Sequence, residues 1–365
     1  MPVLDFAKIR YCPETLPQDR LDRPVRADLV IYGASSAAVA AAVQARRMGL
    51  SVAIAEFGNH LGGLTTGGIG ATDIGNKAAI GGISREFYRA LGNHYGSSEP
   101  DGSQWTFEPS VAKRIYEEWL AKYEIPVYFR QQLERVEKQN GKLTSLIMRN
   151  GNRFEGSMFI DATYEGDLMA LAGVTYHVGR EANAVYKETL NGVHFGHPNH
   201  NFKAWVDPYR IPGKPDSGLL PGVSDEPLLF QGAGDASVQA YNFRICLTNV
   251  PEIRLPFPEP PGYDPEEFTL LARYIEAGVW DAMRLHKMMP NGKTDLNNYG
   301  AVSTDFIGAN HKWPEGDIET REKLFQDHLR YNLGMLYFLS NDERVPKAIR
   351  EEVRQWGLPA DEYVE

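Results

Sequence analysis

Gly33, Glu56 and the glycines at 62, 63, 67, 68 and 70 are the residues whose types and spacing could do chemistry together. Gly33 follows the apolar run Leu29–Ile31, and over Gly33–Ala38 the chain reads G-A-S-S-A-A. Set against the pattern G-x-G-x-x-G, the first glycine is kept, Ser35 stands at the second position and Ala38 at the third. The first glycine permits a tight turn, and the third position needs only a small residue for helix–strand packing, so Ala38 is an accepted variant. Ser35 is the real departure; it suits a phosphate only if its hydroxyl also bonds a phosphate oxygen. From Ser36 the sequence is rich in Ala and Val, so a helix can lie close to a sheet with its free N–H groups and positive dipole end toward an anion. Glu56 ends a second apolar run, Ser51–Ala55. Its distance from Gly33 is close to the roughly 20 residues at which a carboxylate meets ribose hydroxyls. This set suits the adenosine and pyrophosphate of a dinucleotide, but the broken pattern alone fits a plain βαβ unit equally well.

The run His60–Gly70, HLGGLTTGGIG, follows closely. Such glycine density costs chain entropy, so it marks either a flexible surface loop or a backbone that must approach something closely or adopt positive φ. Residues 28–73, including HLGGLTTGGIGATD, resemble the bacterial FAD-dependent oxidoreductase family, of the two-dinucleotide-binding-domain flavoprotein type. That resemblance implies FAD as cofactor, with Gly33, Ser35, Ser36, Ala38, Glu56, Gly62, Gly63, Thr66 and Gly67 holding its ADP half. A second run, DATYEGDL followed by AGVTYHVGRE, is similar to the same family. It implies a second pyrophosphate-side contact at Ala162 and Thr163, and Glu165 and Asp167 facing flavin or substrate. The backbone near Leu133 is then where adenine is touched. For Asp161 and Asp167, helix capping alone is the other reading.

The elements that must position these residues are legible from apolar spacing. Residues 83–95 and 110–124 show helical periodicity, and Val127–Phe129 reads as a third parallel strand. Leu133–Val136, Leu143–Met148 and Arg153–Ile160 form a meander joined by Asn140-Gly141 and Asn150-Gly151, both strong hairpin signals. The family resemblance implies that this meander is inserted before the final parallel strand. The expected fold is therefore α/β: a Rossmann-like FAD-binding domain with parallel sheet and β-meander, plus a loop-rich α+β second region. The expected organisation is an irregular leader at 1–27, an FAD-binding domain at 28–175 and a substrate or cap region at 176–365, helical toward its C-terminal end.

Three features of the second region could face a substrate. His194, His197 and His200 have spacing that could ligate a metal, yet Pro198 and the absence of i,i+4 geometry favour solvated or substrate-facing histidines, so no metal is expected. Gln239–Thr248 alternates like a strand with Asn242 and Arg244 on one face; Arg244 is either a salt-bridge partner or a carboxylate binder. Residues 290–317 gather Lys293, Asp295, Asn297, Asn298, Asp305, Asn310 and His311, as a polar surface loop or as part of a site. This run and the following helix again resemble the family, extending the resemblance from 28 to 365. His60, Asp73, Arg244 and His311 are the candidates for catalytic roles near the flavin ring.

Composition narrows the function classes. The formal charge of −10 argues against an electrostatic nucleic-acid binder. Cys12 and Cys246 can supply neither an iron–sulfur cluster nor a C-x-x-C pair. No apolar run long enough to span a membrane occurs, and the cytoplasm is the expected location. Compared with the family, the chain stops early, at GLPADEYVE, so the expectation is a C-terminal truncation that leaves the flavin half of the site to be completed by a homo-oligomer or a second polypeptide. Three readings follow: an oxidoreductase in which FAD takes a hydride from a small-molecule substrate, a partner-dependent non-catalytic remnant, and, fitting the glycine loop less well, an NAD-dependent dehydrogenase.

Overall fold

Short apolar runs ending in glycine or an acid build the sheet of the first half of the chain. In a computed structural model, which describes residues 5–363 apart from 198, 284, 286 and 287, that sheet has six strands. The elements in order are β1 (Val25–Tyr32), α1 (Ser36–Arg47), β2 (Val52–Ala55), α2 (Leu64–Gly67), α3 (Gly82–Tyr95), α4 (Pro109–Lys122) and β3 (Val127–Tyr128). Then come β4 (Leu133–Gln139), β5 (Lys142–Met148), β6 (Arg153–Asp161) and α5 (Asp167–Leu171). The spatial order is β3-β2-β1-β6-β5-β4. β1 pairs in parallel with both β2 and β6, and its last residue, Tyr32, stands in register with Ala55 on one side and Asp161 on the other. Gly33, Glu56 and Ala162 therefore leave three adjacent strands at one level, at the carboxyl ends where open α/β sheets bind ligands.

Two sequence expectations need adjusting. β1 begins at Val25, inside the stretch expected to be irregular. β6 is both the third meander strand and the parallel partner of β1: Arg153–Glu155 pair with β5, while the strand as a whole runs beside β1. Among the described residues, no separate final parallel strand of this sheet follows the meander. The β4–β5 turn has positive φ at both Asn140 and Gly141, the geometry that an Asn-Gly hairpin supplies.

Each face of this sheet is covered. One packs Ile31 and Ile54 against Ala38, Val39, Ala42 and Val43 of α1, with Phe87, Leu91 and Ile115 of α3 and α4 in the same cluster. Alanines at 38 and 42, fully buried, let α1 approach the strands closely. The other face joins Val30, Tyr32 and Ala55 to Leu146, Met148, Phe154 and Leu168. These elements belong to a compact unit formed by residues 10–176 with two short returns, 288–295 and 362–363.

The second unit holds residues 5–9, most of 177–285 and 296–361. It begins with long loops around α6 (Asn183–Tyr186), followed by β7 (Ile245–Thr248), β8 (Arg254–Leu255) and α7 (Thr269–Glu276). The chain returns to the first unit for β9 (Met288–Met289) and most of β10 (Lys293–Leu296), an antiparallel pair. The second unit then continues with α8 (Ile318–Asn341), α9 (Lys347–Val353) and β11 (Leu358–Pro359), which pairs antiparallel with β8. Its core gathers on α8, where Met335, Leu336, Phe338 and Leu339 meet Phe268, Leu271 and Val345. The strand expected over Gln239–Thr248 is confined to Ile245–Thr248. Residues 239–244 alternate in sequence, but their polar groups bond to a loop instead: Tyr241 O accepts from Phe306 N (3.3 Å), Gln239 O from Asn310 Nδ2 (2.5 Å), and Asn242 Nδ2 donates to Thr304 Oγ1 (3.0 Å). Among the described residues, no helix is long and apolar enough to cross a membrane.

Candidate functional site

The turn after β1 is built on Gly33, whose φ of +92° is open to glycine and strained for other residues. A Cβ there would also stand 2.9 Å from the backbone C and O of Ala162, so the glycine is what lets the ends of β1 and β6 close on each other. Ser35 opens α1 without capping it. Its hydroxyl donates to Ala162 O (2.7 Å), and a hydroxyl has one proton to give. In this arrangement the Ser35 proton is engaged by Ala162, and the backbone N–H groups of the first turn of α1 are the donors the turn offers to an anion. Ser36 and Thr65 are among the groups that act on the Tyr116 hydroxyl of α4, and Ala38 is fully buried under the helix.

Glu56, at the end of β2, is 6% exposed. Its two oxygens accept from Ala34 N (2.6 Å) and Gly58 N (2.7 Å). A carboxylate offers about four lone-pair sites, so two backbone donors leave acceptor capacity for ribose hydroxyls. Burial, opposed by these two N–H bonds and reinforced by the nearby charge of Glu165, pushes its pKa up to about 7. The acid is thus held beside the glycine turn, strongly desolvated and with no cation among the groups that shift it.

The glycine loop folds back onto the same turn. Gly62 N donates to Ala34 O (2.7 Å), and Ser35 and Gly62 form a parallel bridge. A Cβ on Gly62 would meet the Thr66 side chain at 2.4 Å, and one on Gly63 the Tyr164 hydroxyl at 2.4 Å. Thr66 is buried and its hydroxyl bonds the Leu61 carbonyl and His60 Nε2, the latter at 2.8 Å. With the hydroxyl proton given to Leu61, His60 donates to Thr66 through Nε2–H. Gly67 packs beside this imidazole.

The end of β6 closes the arrangement. Asp161 accepts from Thr163 N (3.0 Å), Thr163 Oγ1 (2.6 Å) and, through its other oxygen, Met169 N (2.9 Å), so it caps α5 from a distance in sequence. Ala162 N bonds Tyr32 O (2.7 Å), and Asp167 opens α5. Leu133 N donates to the Tyr32 hydroxyl (3.1 Å), which ties the start of β4 to the end of β1. Tyr164 was passed over in sequence; its hydroxyl accepts from Leu64 N (2.8 Å) over the glycine loop, and a lone aromatic in a turn carries no signal that would have found it.

The four catalytic candidates divide between the two units. His60 and Asp73 flank the glycine loop of the first, Asp73 exposed. Arg244 and His311 belong to the second; Arg244 is half-buried in a loop, and exposed His311 accepts from Val238 N through Nδ1 (3.2 Å). His194, His197 and His200 are exposed, and among the described residues no group of three His, Cys, Asp or Glu side chains is placed to hold a metal; Pro198 lies outside the described residues.

The donor set fits FAD: a buried acceptor with spare capacity, an uncapped helix start, and close-packed glycines between them at the carboxyl ends of parallel strands. Solved structures with local similarity include an L-amino acid deaminase from Proteus vulgaris (17% identity, 44% of this chain and 53% of that one, TM-score 0.32). A flavin-containing monooxygenase from Stenotrophomonas maltophilia matches at 19% identity over 38% of each chain (TM-score 0.27). An L-proline dehydrogenase from P. horikoshii matches at 12% over 44% of this chain and 59% of that one (TM-score 0.33). The aligned part thus spans less than two thirds of each of these proteins. No match is found among curated proteins. The family described as FAD dependent oxidoreductase matches residues 28–364, nearly the whole chain, and the protein belongs to that family, with FAD as its cofactor.

Proposed function

We propose that this chain is an oxidoreductase that binds FAD across the β1–α1 turn and the 60–70 loop and acts on a small organic substrate. The observation that carries the reading is Glu56, a buried carboxylate bonded, among the described residues, by the backbone N–H groups of Ala34 and Gly58 and set beside Gly33. Its remaining lone pairs suit ribose hydroxyls, while the first turn of α1 offers N–H groups to a phosphate. FAD, when bound, supplies the two-electron acceptor for a hydride removed from the substrate. The protein's own part is to bind, orient and exclude water. Within the first unit, the Gly62 N–Ala34 O bond fixes the glycine loop against the turn, and Thr66 fixes the His60 ring. We assign polar roles at the flavin end to His60, Asp73, Arg244 and His311. Low cysteine use, two in the whole sequence, supports a cytoplasmic location.

The visible spectrum of the purified protein tests this directly. A flavin spectrum that bleaches under dithionite is expected; a colourless chain that takes up no added FAD overturns the reading. Glu56→Ala removes a charged acceptor, so FAD affinity should fall about ten- to a hundredfold while the fold survives. Unchanged flavin content in that variant would remove Glu56 from the ribose role.

A further inference from the structure

We propose that residues Tyr11–Leu21 form a strap that closes the adenosine end of the FAD site, with Tyr11 as a further cofactor-holding residue. The inference rests on the cofactor reading above and concerns a segment that sequence alone leaves as an irregular leader. Two contacts of the strap fall on residues next to Glu56 and Leu133, both placed at the adenosine half. The Tyr11 ring lies 5.2 Å from that of Phe57, the neighbour of Glu56, and its carbonyl lies 4.0 Å from where a Cβ on Gly58 would stand. The Tyr11 hydroxyl donates to Glu165 Oε1 (3.2 Å), within the run that follows β6. Pro13 O accepts from Gln132 Nε2 (3.0 Å), the residue before Leu133.

The far end of the strap is fixed more firmly. Asp19 pairs both oxygens with Arg130, at 2.5 and 2.6 Å, and its side chain is almost fully covered. Asp19 O accepts from Asn152 Nδ2 (2.7 Å), and Leu21 N donates to Asn152 Oδ1 (2.9 Å). Arg130 itself has φ +55° and is held there by the turn it shares with the ribose acid: Arg130 N bonds Gly58 O and Gln131 N bonds Glu56 O, each at 2.8 Å. A bidentate guanidinium–carboxylate pair is strong and directional, so Asp19 anchors the strap. From that anchor the strap reaches the neighbours of Glu56 and Leu133 through Tyr11 and Pro13. Opening at Tyr11 admits the adenosine end of the cofactor, and reclosing slows its escape.

The test is the rate of FAD release from the full chain, read from the recovery of free-flavin fluorescence after dilution. Tyr11→Ala should release FAD roughly tenfold faster, the loss expected from one hydrogen bond and one aromatic contact. Tyr11→Phe, which keeps the ring on Phe57, should fall between it and the wild type, and Asp19→Asn should also release faster. FAD should in addition slow tryptic cleavage after Arg20 in the wild type. Wild-type uptake of FAD with unchanged or slower release from Tyr11→Ala and Asp19→Asn overturns the strap and leaves the cofactor reading standing. A wild-type chain that takes up no FAD overturns the cofactor reading and the strap with it.

Discussion

Two buried carboxylate sites in the first unit are solved in opposite ways. Glu56 faces two backbone N–H groups, with Glu165, Tyr32 and Tyr164 the titratable groups around it. At the start of α4, by contrast, Lys293 Nζ lies 2.7 Å from both Glu108 and Glu362 and is itself 1% exposed. Asn291 and Tyr95 complete the donors to Glu108, and Ser110 gives Glu362 two more bonds. The second site is closed: a cation and several donors use the acceptor capacity of both acids. The first is left electrostatically incomplete in a chain able to place a lysine between buried glutamates. A buried acid without a cation costs stability. Its persistence beside the glycine turn is intelligible if neutral hydroxyl donors from a ligand finish the job.

That contrast breaks most visibly at Lys293. Lys293→Met leaves two neighbouring carboxylates buried, and the expected loss is about 3–5 kcal/mol in denaturant unfolding, eased at low pH as the acids take up protons. Molecules that remain folded should hold FAD as the wild type does; weaker flavin binding per folded molecule would make the cluster part of the site instead of a knot. Gly33→Ala acts on the other side of the comparison. Strain at φ +92° and a Cβ against the Ala162 backbone should cost about 2–3 kcal/mol, and here FAD retention should fall together with stability. A variant with unchanged flavin affinity would detach the turn from the cofactor.

How much of this was legible in the sequence follows from how local each feature is. The β1–α1–β2 path and the meander show because each strand is a short apolar run closed by its own turn residues, as with Asn140-Gly141. The nearness of Glu56 to Gly33 follows once β1 and β2 are parallel neighbours, because both residues then leave their strands at one level. The Lys293 cluster was not legible as a unit: its acids sit on a helix start and near the C-terminus, far from Lys293 in sequence, and only the fold's returns join them. Nor was the strap, where Asp19 meets Arg130 through a backbone turn with no periodicity. Residues 239–244 misled for the opposite reason. They alternate as a strand does, but alternation needs a paired neighbour before it becomes one.

The smallest and most diagnostic effect is the pH dependence that Glu56 alone should bring. Its folded-state pKa of about 7 lies above the ordinary 4.5. The folded chain therefore keeps a proton that the unfolded chain gives up, so this group's stabilising contribution is full below pH 4.5 and is lost as pH rises through about 7. Apo stability should decline across that window, as denaturant unfolding at a series of pH values would show. FAD affinity should run the other way, because hydroxyl donors favour the ionised acceptor, and binding near neutral pH should release a proton, measurable by calorimetry in buffers of different ionisation enthalpy. Glu56→Gln should flatten both profiles. It also turns one acceptor into a donor, so either Ala34 N or Gly58 N loses its partner, and a pH-independent loss of about 1 kcal/mol is expected. The Lys293 cluster, where burial also pushes the Glu362 carboxyl up, is untouched in that variant and keeps its own slope, so a profile identical to the wild type's between pH 4.5 and about 7 would count against an open, ligand-completed acid at the end of β2.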